Sequence, residues 1–340
     1  MSFSGFPTSK PAGSSTTAVK STSGSIRPRL TPESYKLVWV CASQTSELAA
    51  AKLLLDEEHD SPITVDPTDQ NLYSFGKMSG HNIILAKFPP APTDAAAAAV
   101  RLKWKFKGVT SAIVVGIAGA APGAGKPDLR LGDIVVGVIP PTPGVQPALG
   151  AGLKPYDSRR VLTDGPIYPA CTQLPSKQQQ TAVLAVRQNH SQNKVGYTTH
   201  LSGITSRHDA FKRPKPETDI LFKPTVSHAS AANRTCDKCP KAGIIARSER
   251  KSTVVHYGPV GSGGLTVAEP GNRDAFSAKL GGALCFETES AGVVSYFPCL
   301  AIRGLANYAD SHGVANKTWD MYAAAAAAAY AKELLAVLPQ

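Results

Sequence analysis

The chain has 340 residues, 36 of them basic and 25 acidic, for a net charge of +11; 42% are hydrophobic and 18% charged. That is enough apolar material for a real core, which excludes a wholly disordered chain, a coiled coil and a collagen. No uncharged apolar run reaches the ~18 residues of a membrane span, and six cysteines in this length are no disulfide framework. The expectation is a soluble, cytoplasmic α/β protein.

Residues 1–32 contain no Asp or Glu, four basic residues (Lys10, Lys20, Arg27, Arg29) and many Ser and Thr. So few apolar groups cannot offset the entropy of ordering, and a disordered tail is expected. The composition also suits an organellar transit peptide, but Pro7, Pro11 and Pro28 interrupt any helical stripe, which makes targeting the minor reading. Beyond the tail, the apolar run at 36–42 predicts a buried strand, and 46–57 a helix. A strand is expected at 82–88, then a helix over about 95–106 capped by Thr93 or Asp94. The next strand, 111–115, is expected to end in a turn at Gly116-Ile117-Ala118-Gly119, and another follows at 133–139. The stretch 140–180 is rich in Pro and Gln and weakly periodic. Over 205–255 eleven Lys or Arg face five acids without interleaved aromatics. A solvated, irregular insertion over about 205–252 is expected there, with no nucleic-acid partner. Strand signals return at 252–257, 283–286 and 299–303, and an Ala-rich helix closes the chain at 319–337. Alternating strands and helices predict one α/β domain over 33–340, its mixed sheet covered on both faces.

Three local signals bear on chemistry. Gly116 and Gly119 let a backbone approach a ligand, but Pro122, Gly123 and Pro127 follow where a dinucleotide loop would open a helix. Cys236-Asp237-Lys238-Cys239 has zinc-like spacing, yet it is a single pair with His228 as the one nearby third ligand; a surface turn with two thiols and no metal is expected. Glu287 and Glu289 leave the apolar run at 283–286, and Arg303, Asn307 and Asp310 follow the next one. Two successive strands would bring these ends to one sheet edge, where α/β proteins bind ligands. A structural ion pair, such as Glu289 with Arg303, fits the same residues.

The segments VWVCAS…SELAAAKLLLDEEHD, DLRLGDIVVG, FKRPKPETDILFKP, VVHYGPVGSG, LCFETESAG and RGLANYADSHG, in this order, resemble the purine and uridine phosphorylase superfamily. They look most like the fungal branch that stands at the front of NACHT, ankyrin-repeat or tetratricopeptide-type receptors, and the match runs from about 34 to 339. The resemblance implies a three-layer α/β/α sandwich around a mixed sheet, and cleavage of a nucleoside N-glycosidic bond by phosphate or water. It implies no cofactor, with phosphate as a conceivable co-substrate, and a small nucleoside or nucleotide as partner; it allows a homo-oligomer and calls for no membrane. Glu289 matches the glutamate that binds ribose hydroxyls, and Thr288 stands where a methionine usually packs on the sugar. Arg303 matches the arginine that orients acceptor and ribose, and Glu47 falls at or near the glutamate that activates water. Ser262, Gly263, Thr266 and Val267 match the wall of the base site, with Thr266 in place of an aromatic residue. Gly116 and Ala118 lie in the glycine turn, where Val114 and Ile117 replace the phosphate-holding Arg and Ser of bacterial phosphorylases. Asn307 stands where an aspartate usually protonates purine N7; an amide can donate a hydrogen bond there but cannot act as an acid. Two functions are therefore carried: a nucleosidase, favoured over a phosphorylase, and a catalytically degenerate nucleoside-binding or signalling module. A signalling role is expected to call for a separate partner chain, as these 340 residues carry no receptor module of their own.

Overall fold

The computed structural model describes residues 27–42, 45–64, 69, 71–141, 149–157, 160–162, 165–167, 174–229 and 235–339. Most of the expected tail, residues 1–26, lies outside the described residues. Its last part is in contact with the fold, contrary to expectation: Pro28 O accepts from Asp60 N at 2.9 Å and Leu30 packs on the core.

The first apolar run forms β1 (Leu37–Cys41), buried at every position. Helix α1 (Thr45–Lys52) is shorter than expected, because Asp56 N already bonds Lys77 O and β2 (Glu57–His59) pairs with β3 (Leu72–Met78). β4 (His81–Lys87) follows, then α2 (Pro92–Lys105). Neither Thr93 nor Asp94 caps α2; Ala91, at φ 87°, turns the chain into a helix that opens on Pro92, whose fixed φ suits the first turn. β5 (Ser111–Ala120) runs straight through the glycines expected to form a turn. The strand expected at 133–139 is present as two short pieces, β6 (Ile134–Val136) and β7 (Val138–Ile139), and β8 (Gly150–Ala151), β9 (Leu153–Pro155), β10 (Arg160–Leu162) and β11 (Gly165–Ile167) occupy the weakly periodic middle. Helix α3 (Lys177–Ser191) starts on a capping box between Ser176 and Gln179, and α4 (Tyr197–Thr205) follows. Then come β12 (Val255–Tyr257), β13 (Val260–Ser262), α5 (Pro270–Lys279), β14 (Cys285–Glu287), α6 (Ser290–Val293), β15 (Cys299–Asn307), α7 (Ser311–Ala315) and α8 (Asp320–Val337).

Eight strands run β12-β6-β15-β5-β1-β4-β3-β2 across an eleven-stranded sheet, and β14, β13 and β9 branch from the far end of β5. The central pairs β15/β5, β5/β1 and β1/β4 are parallel, while β6 and β3 run antiparallel to their inner neighbours. Flanking helices complete the expected three-layer α/β/α sandwich with a mixed sheet. The alanines of α8 are buried from Ala323 to Ala329, and their small side chains let the helix lie close on β15. Gly304 makes that approach feasible, since a Cβ there would run into the Ala323 carbonyl. Among the described residues no helix is long and apolar enough to cross a membrane.

The 205–252 insertion is irregular where described, with short 3-10 turns and one bridge between Phe222 and Ile244. It is not the solvated stretch expected. Phe211, Leu221 and Phe222 are buried, and three of its arginines are bonded inside the protein. Arg247 Nη2 donates to Asp219 Oδ1 and, at 2.7 Å, to Tyr308 Oη; Arg250 pairs with Asp133, and Arg213 donates to Tyr322 Oη.

Candidate active site at the carboxyl ends of the central strands

The parallel strands β5 and β15 bring Gly116 opposite Arg303. Glu47 enters from the first turn of α1, just past the end of β1, and its Oε1 accepts from Ile117 N at 2.7 Å. Gly116 is the reason both side chains fit. A Cβ there would collide with the Glu47 carboxylate and come within 2.8 Å of Arg303 Nη1. The glycines that suggested a turn in the sequence thus leave room for two charged side chains beside a continuous strand.

Glu289 arrives from the other side, between β14 and α6. Arg303 Nη2 donates to Glu287, to Glu289 Oε2 at 3.2 Å and to Ser290 Oγ at 3.2 Å. The Glu287 carboxylate also accepts from the N–H groups of Glu289 and Ser290, so it both caps the chain entering α6 and holds the arginine. The pair foreseen between Glu289 and Arg303 exists, but Glu287 is the tighter partner. The sequence flagged Glu287 only as an acid leaving a buried strand. Thr288 Oγ1 donates to Glu289 Oε1, fixing the other carboxylate oxygen.

The cluster is dry, with Arg303 0%, Glu47 2% and Glu289 4% exposed. Burial, then the Glu289 charge, push the Glu47 carboxyl up to about 8, against the pull of Arg303 and the Ile117 N–H. Burial likewise pushes Glu289 up to about 7; Arg303 lowers it and Glu287 raises it. Burial opposes the Arg303 charge, but Glu287, Glu289 and Glu47 outweigh it and hold the guanidinium protonated. Among the described residues, Glu47 Oε2, Arg303 Nε and Arg303 Nη1 have no hydrogen-bond partner. Buried polar atoms normally do, so these three are groups available to a bound molecule.

The remaining expected residues are distributed around this centre. Ala118 is buried in β5, two positions past Gly116. Asn307 lies four residues beyond Arg303, after a register shift in β15, opposite Gly119. Its Oδ1 accepts from Ala309 N at 2.9 Å, which leaves the NH2 as the outward donor. Ser262 is fully buried and accepts from Ala291 N at 2.8 Å, so it anchors α6. Gly263 lies against the Tyr156 ring and its carbonyl accepts from Tyr156 Oη at 3.0 Å. Val267 packs on a small apolar cluster containing Tyr156, Phe286 and Ala309, whereas Thr266 is exposed. Asp310 caps α7 through Gly313 N at 2.9 Å. Cys236 and Cys239 do form a turn, closed by Cys239 N on Cys236 O at 3.0 Å, but Cys239 is buried rather than at the surface.

No protein-family model matches the chain. A nucleotide-binding leucine-rich repeat (NLR)-like protein of Hyaloscypha variabilis is 33% identical over 317 residues, which cover 92% of this chain and 30% of that protein. The chain thus spans about 30% of the length of this curated relative. Among solved structures, the 5′-methylthioadenosine/S-adenosylhomocysteine nucleosidase of S. pneumoniae, with a transition-state inhibitor, superposes with TM-score 0.54 at 15% identity over 89% of this chain and 100% of that one. Futalosine hydrolase of Helicobacter pylori gives 0.53 at 14% identity over 88% and 97%. An aspartate-to-asparagine variant of the Helicobacter pylori nucleosidase, with 5′-methylthioadenosine in its active site, gives 0.54 at 15% over 88% and 97%.

Proposed function

On a chain that has the fold of the purine and uridine phosphorylase superfamily, we propose that the buried cluster hydrolyses the N-glycosidic bond of a purine nucleoside or a related nucleotide. The observation that carries this is the convergence of Glu47 and Arg303 on the space left by Gly116, with Glu289 bonded to Arg303 and, among the described residues, three polar atoms of Glu47 and Arg303 unsatisfied. The C1′–N bond breaks through a sugar cation, so the site needs an acceptor, a clamp on the sugar and a hold on the leaving base. Glu289 accepts from the ribose hydroxyls. Arg303 positions the acceptor oxygen, and Glu47 takes a proton from water as its oxygen bonds C1′. The bonding electrons leave with the base, which takes its proton from solvent because Asn307 can only donate a hydrogen bond. Val114 and Ile117 offer no hold on phosphate, which favours water as acceptor, and the hydrolases among the structural neighbours agree with that choice. The residues named do this chemistry without a cofactor. Incubation with adenosine, inosine, guanosine, uridine, methylthioadenosine and ATP, each with and without phosphate, tests the reading; free base should appear without phosphate.

Asn307 favours a second reading, a nucleoside-binding or signalling module with little turnover. A missing general acid costs roughly 10²–10⁴ in rate. An aspartate-to-asparagine variant of one structural neighbour holds methylthioadenosine, and the sequence relative is an NLR-like protein. Asn307→Asp separates the two. A gain of about tenfold to a thousandfold in purine release shows an enzyme lacking its acid. No base release from either form makes the chain a binding module.

A further inference from the structure

The 205–252 insertion and the start of α7 bring four side chains suited to a metal ion to one place. His228 Nδ1 lies 3.3 Å from Cys239 Sγ and 3.9 Å from Cys236 Sγ. Donor atoms of His228, Cys239 and His312 all lie within 4.8 Å of one another. A tetrahedral zinc ion, with bonds of ~2.3 Å to sulfur and ~2.0–2.1 Å to nitrogen, holds N and S donors about 3.5 Å apart. His228, Cys239 and His312 thus have the spacing of a ligand set drawn slightly open, and Cys236, outside that tighter group, joins it from the His228 side. The two thiols are not joined in a disulfide.

His312 is the independent sign. His312 is 5% exposed and its ring is stacked on Phe222, centroids 3.8 Å apart at 7°, yet among the described residues neither ring nitrogen has a hydrogen-bond partner. The nearest carboxylate oxygen, Asp310 Oδ2, stands 3.7 Å from Nδ1, beyond hydrogen-bond distance; a carboxylate that accepts from the other ring nitrogen is the usual orienting partner of a metal-bound imidazole, and Asp310 would need only a small approach to become one. His228 N donates to Ser311 Oγ at 2.9 Å, so the backbone already seats the insertion on α7.

We infer that His228, Cys236, Cys239 and His312 form a Cys2His2 site for a zinc-class divalent ion. On binding, both thiols lose their protons to solvent and four protein bonds close the coordination sphere. With no open position, the ion is structural. It clasps the insertion onto the helix that follows β15, beside the small cavity lined by Asn307, Phe222 and His312. The clasp does not depend on whether nucleosides are cleaved.

Full-length protein purified without chelator and dialysed should carry about one zinc per chain by elemental analysis. The metal-stripped protein should take up one Co²⁺ with a thiolate-to-cobalt absorption band. Cys236→Ser with Cys239→Ser should lose both signals, Cys239→His should keep the metal with a weaker thiolate band, and Cys171→Ser should change neither. Wild-type protein with neither stoichiometric zinc nor a cobalt–thiolate band overturns the site, whatever the variants do. So does an ion that survives loss of both cysteines.

Discussion

Glu47 and Glu289 are carboxyls held above their ordinary range in a buried cluster, at about 8 and about 7. A water-activating Glu47 must be ionised, and so must a ribose-binding Glu289. The proposed hydrolysis should therefore accelerate from pH 6 to a plateau above about 9, most steeply below 7, where both still hold protons. A profile that is flat or falling over that interval overturns their roles. Stability moves the opposite way. Each group binds its proton more tightly folded than unfolded, so its contribution is complete below the unfolded value and drains away as pH rises through the folded one. Glu47→Gln removes that loss, so it should melt about 3–10 °C above wild type near pH 9 while losing roughly 10²–10⁴ in rate. Melting and rate measured across pH on one preparation check both signs. Glu289 and Arg303 stand out in the sequence because an acid and an arginine after apolar runs lie at strand ends, whereas the resemblance alone singles out Glu47. The grip of Glu287 on Arg303 does not stand out, since both acids turn inward and their shares of the guanidinium depend on the turn that leads into α6.

At the scale of elements, short β-runs were read closely where periodicity was strong, as in β1, and misread where glycine intervened. Gly116 and Gly119 look like a turn in a linear sequence, yet β15 on one edge and β14 on the other hold that stretch in the sheet. Glycine inside a strand signals close approach as readily as a bend. Gly304 belongs to the same class, because it lets the alanine-rich α8 sit against β15. Gly304→Ala sets a Cβ against the Ala323 carbonyl, and neither strand nor helix can yield as a flexible side chain would. Overpacking of this kind costs about 1–3 kcal/mol, and β15 also carries Arg303. The variant should lose that much in chemical denaturation and bind nucleoside more weakly. Unchanged stability would show that α8 can move away from the sheet at little cost.

The whole molecule uses its basic excess differently from what composition suggests. Arg213, Arg247 and Arg250 tie the insertion to Tyr322, Asp219, Tyr308 and Asp133, and Phe211, Leu221 and Phe222 help bury it. Those apolar residues are scattered without a helical or strand period, so no pattern in the sequence marked the segment as part of the core. The same holds in small at the amino-terminal side. Residues 1–32 read as one uniform tail, but an attachment needs only one carbonyl and one leucine. Pro28 O bonds Asp60 N, Leu30 packs on the core, and the chain beyond passes so close to Gly108 that a Cβ there would lie 2.5 Å from Glu33 O. The Arg27–Glu58 pair adds little, because both side chains are about half exposed. Two truncations separate the attachment from the rest. Removing residues 1–26 takes away a segment with no acidic residue and few apolar ones, and it should leave the melting temperature unchanged. Removing 1–32 also deletes the backbone hydrogen bonds accepted by Pro28, Thr31 and Pro32 and a partly buried leucine, worth together about 2–5 kcal/mol. That shorter chain should melt several degrees lower, and the drop should persist in high salt because the lost contacts are apolar and backbone rather than ionic. Equal melting of the two truncations would mean that Pro28 and Leu30 rest on the fold without stabilising it.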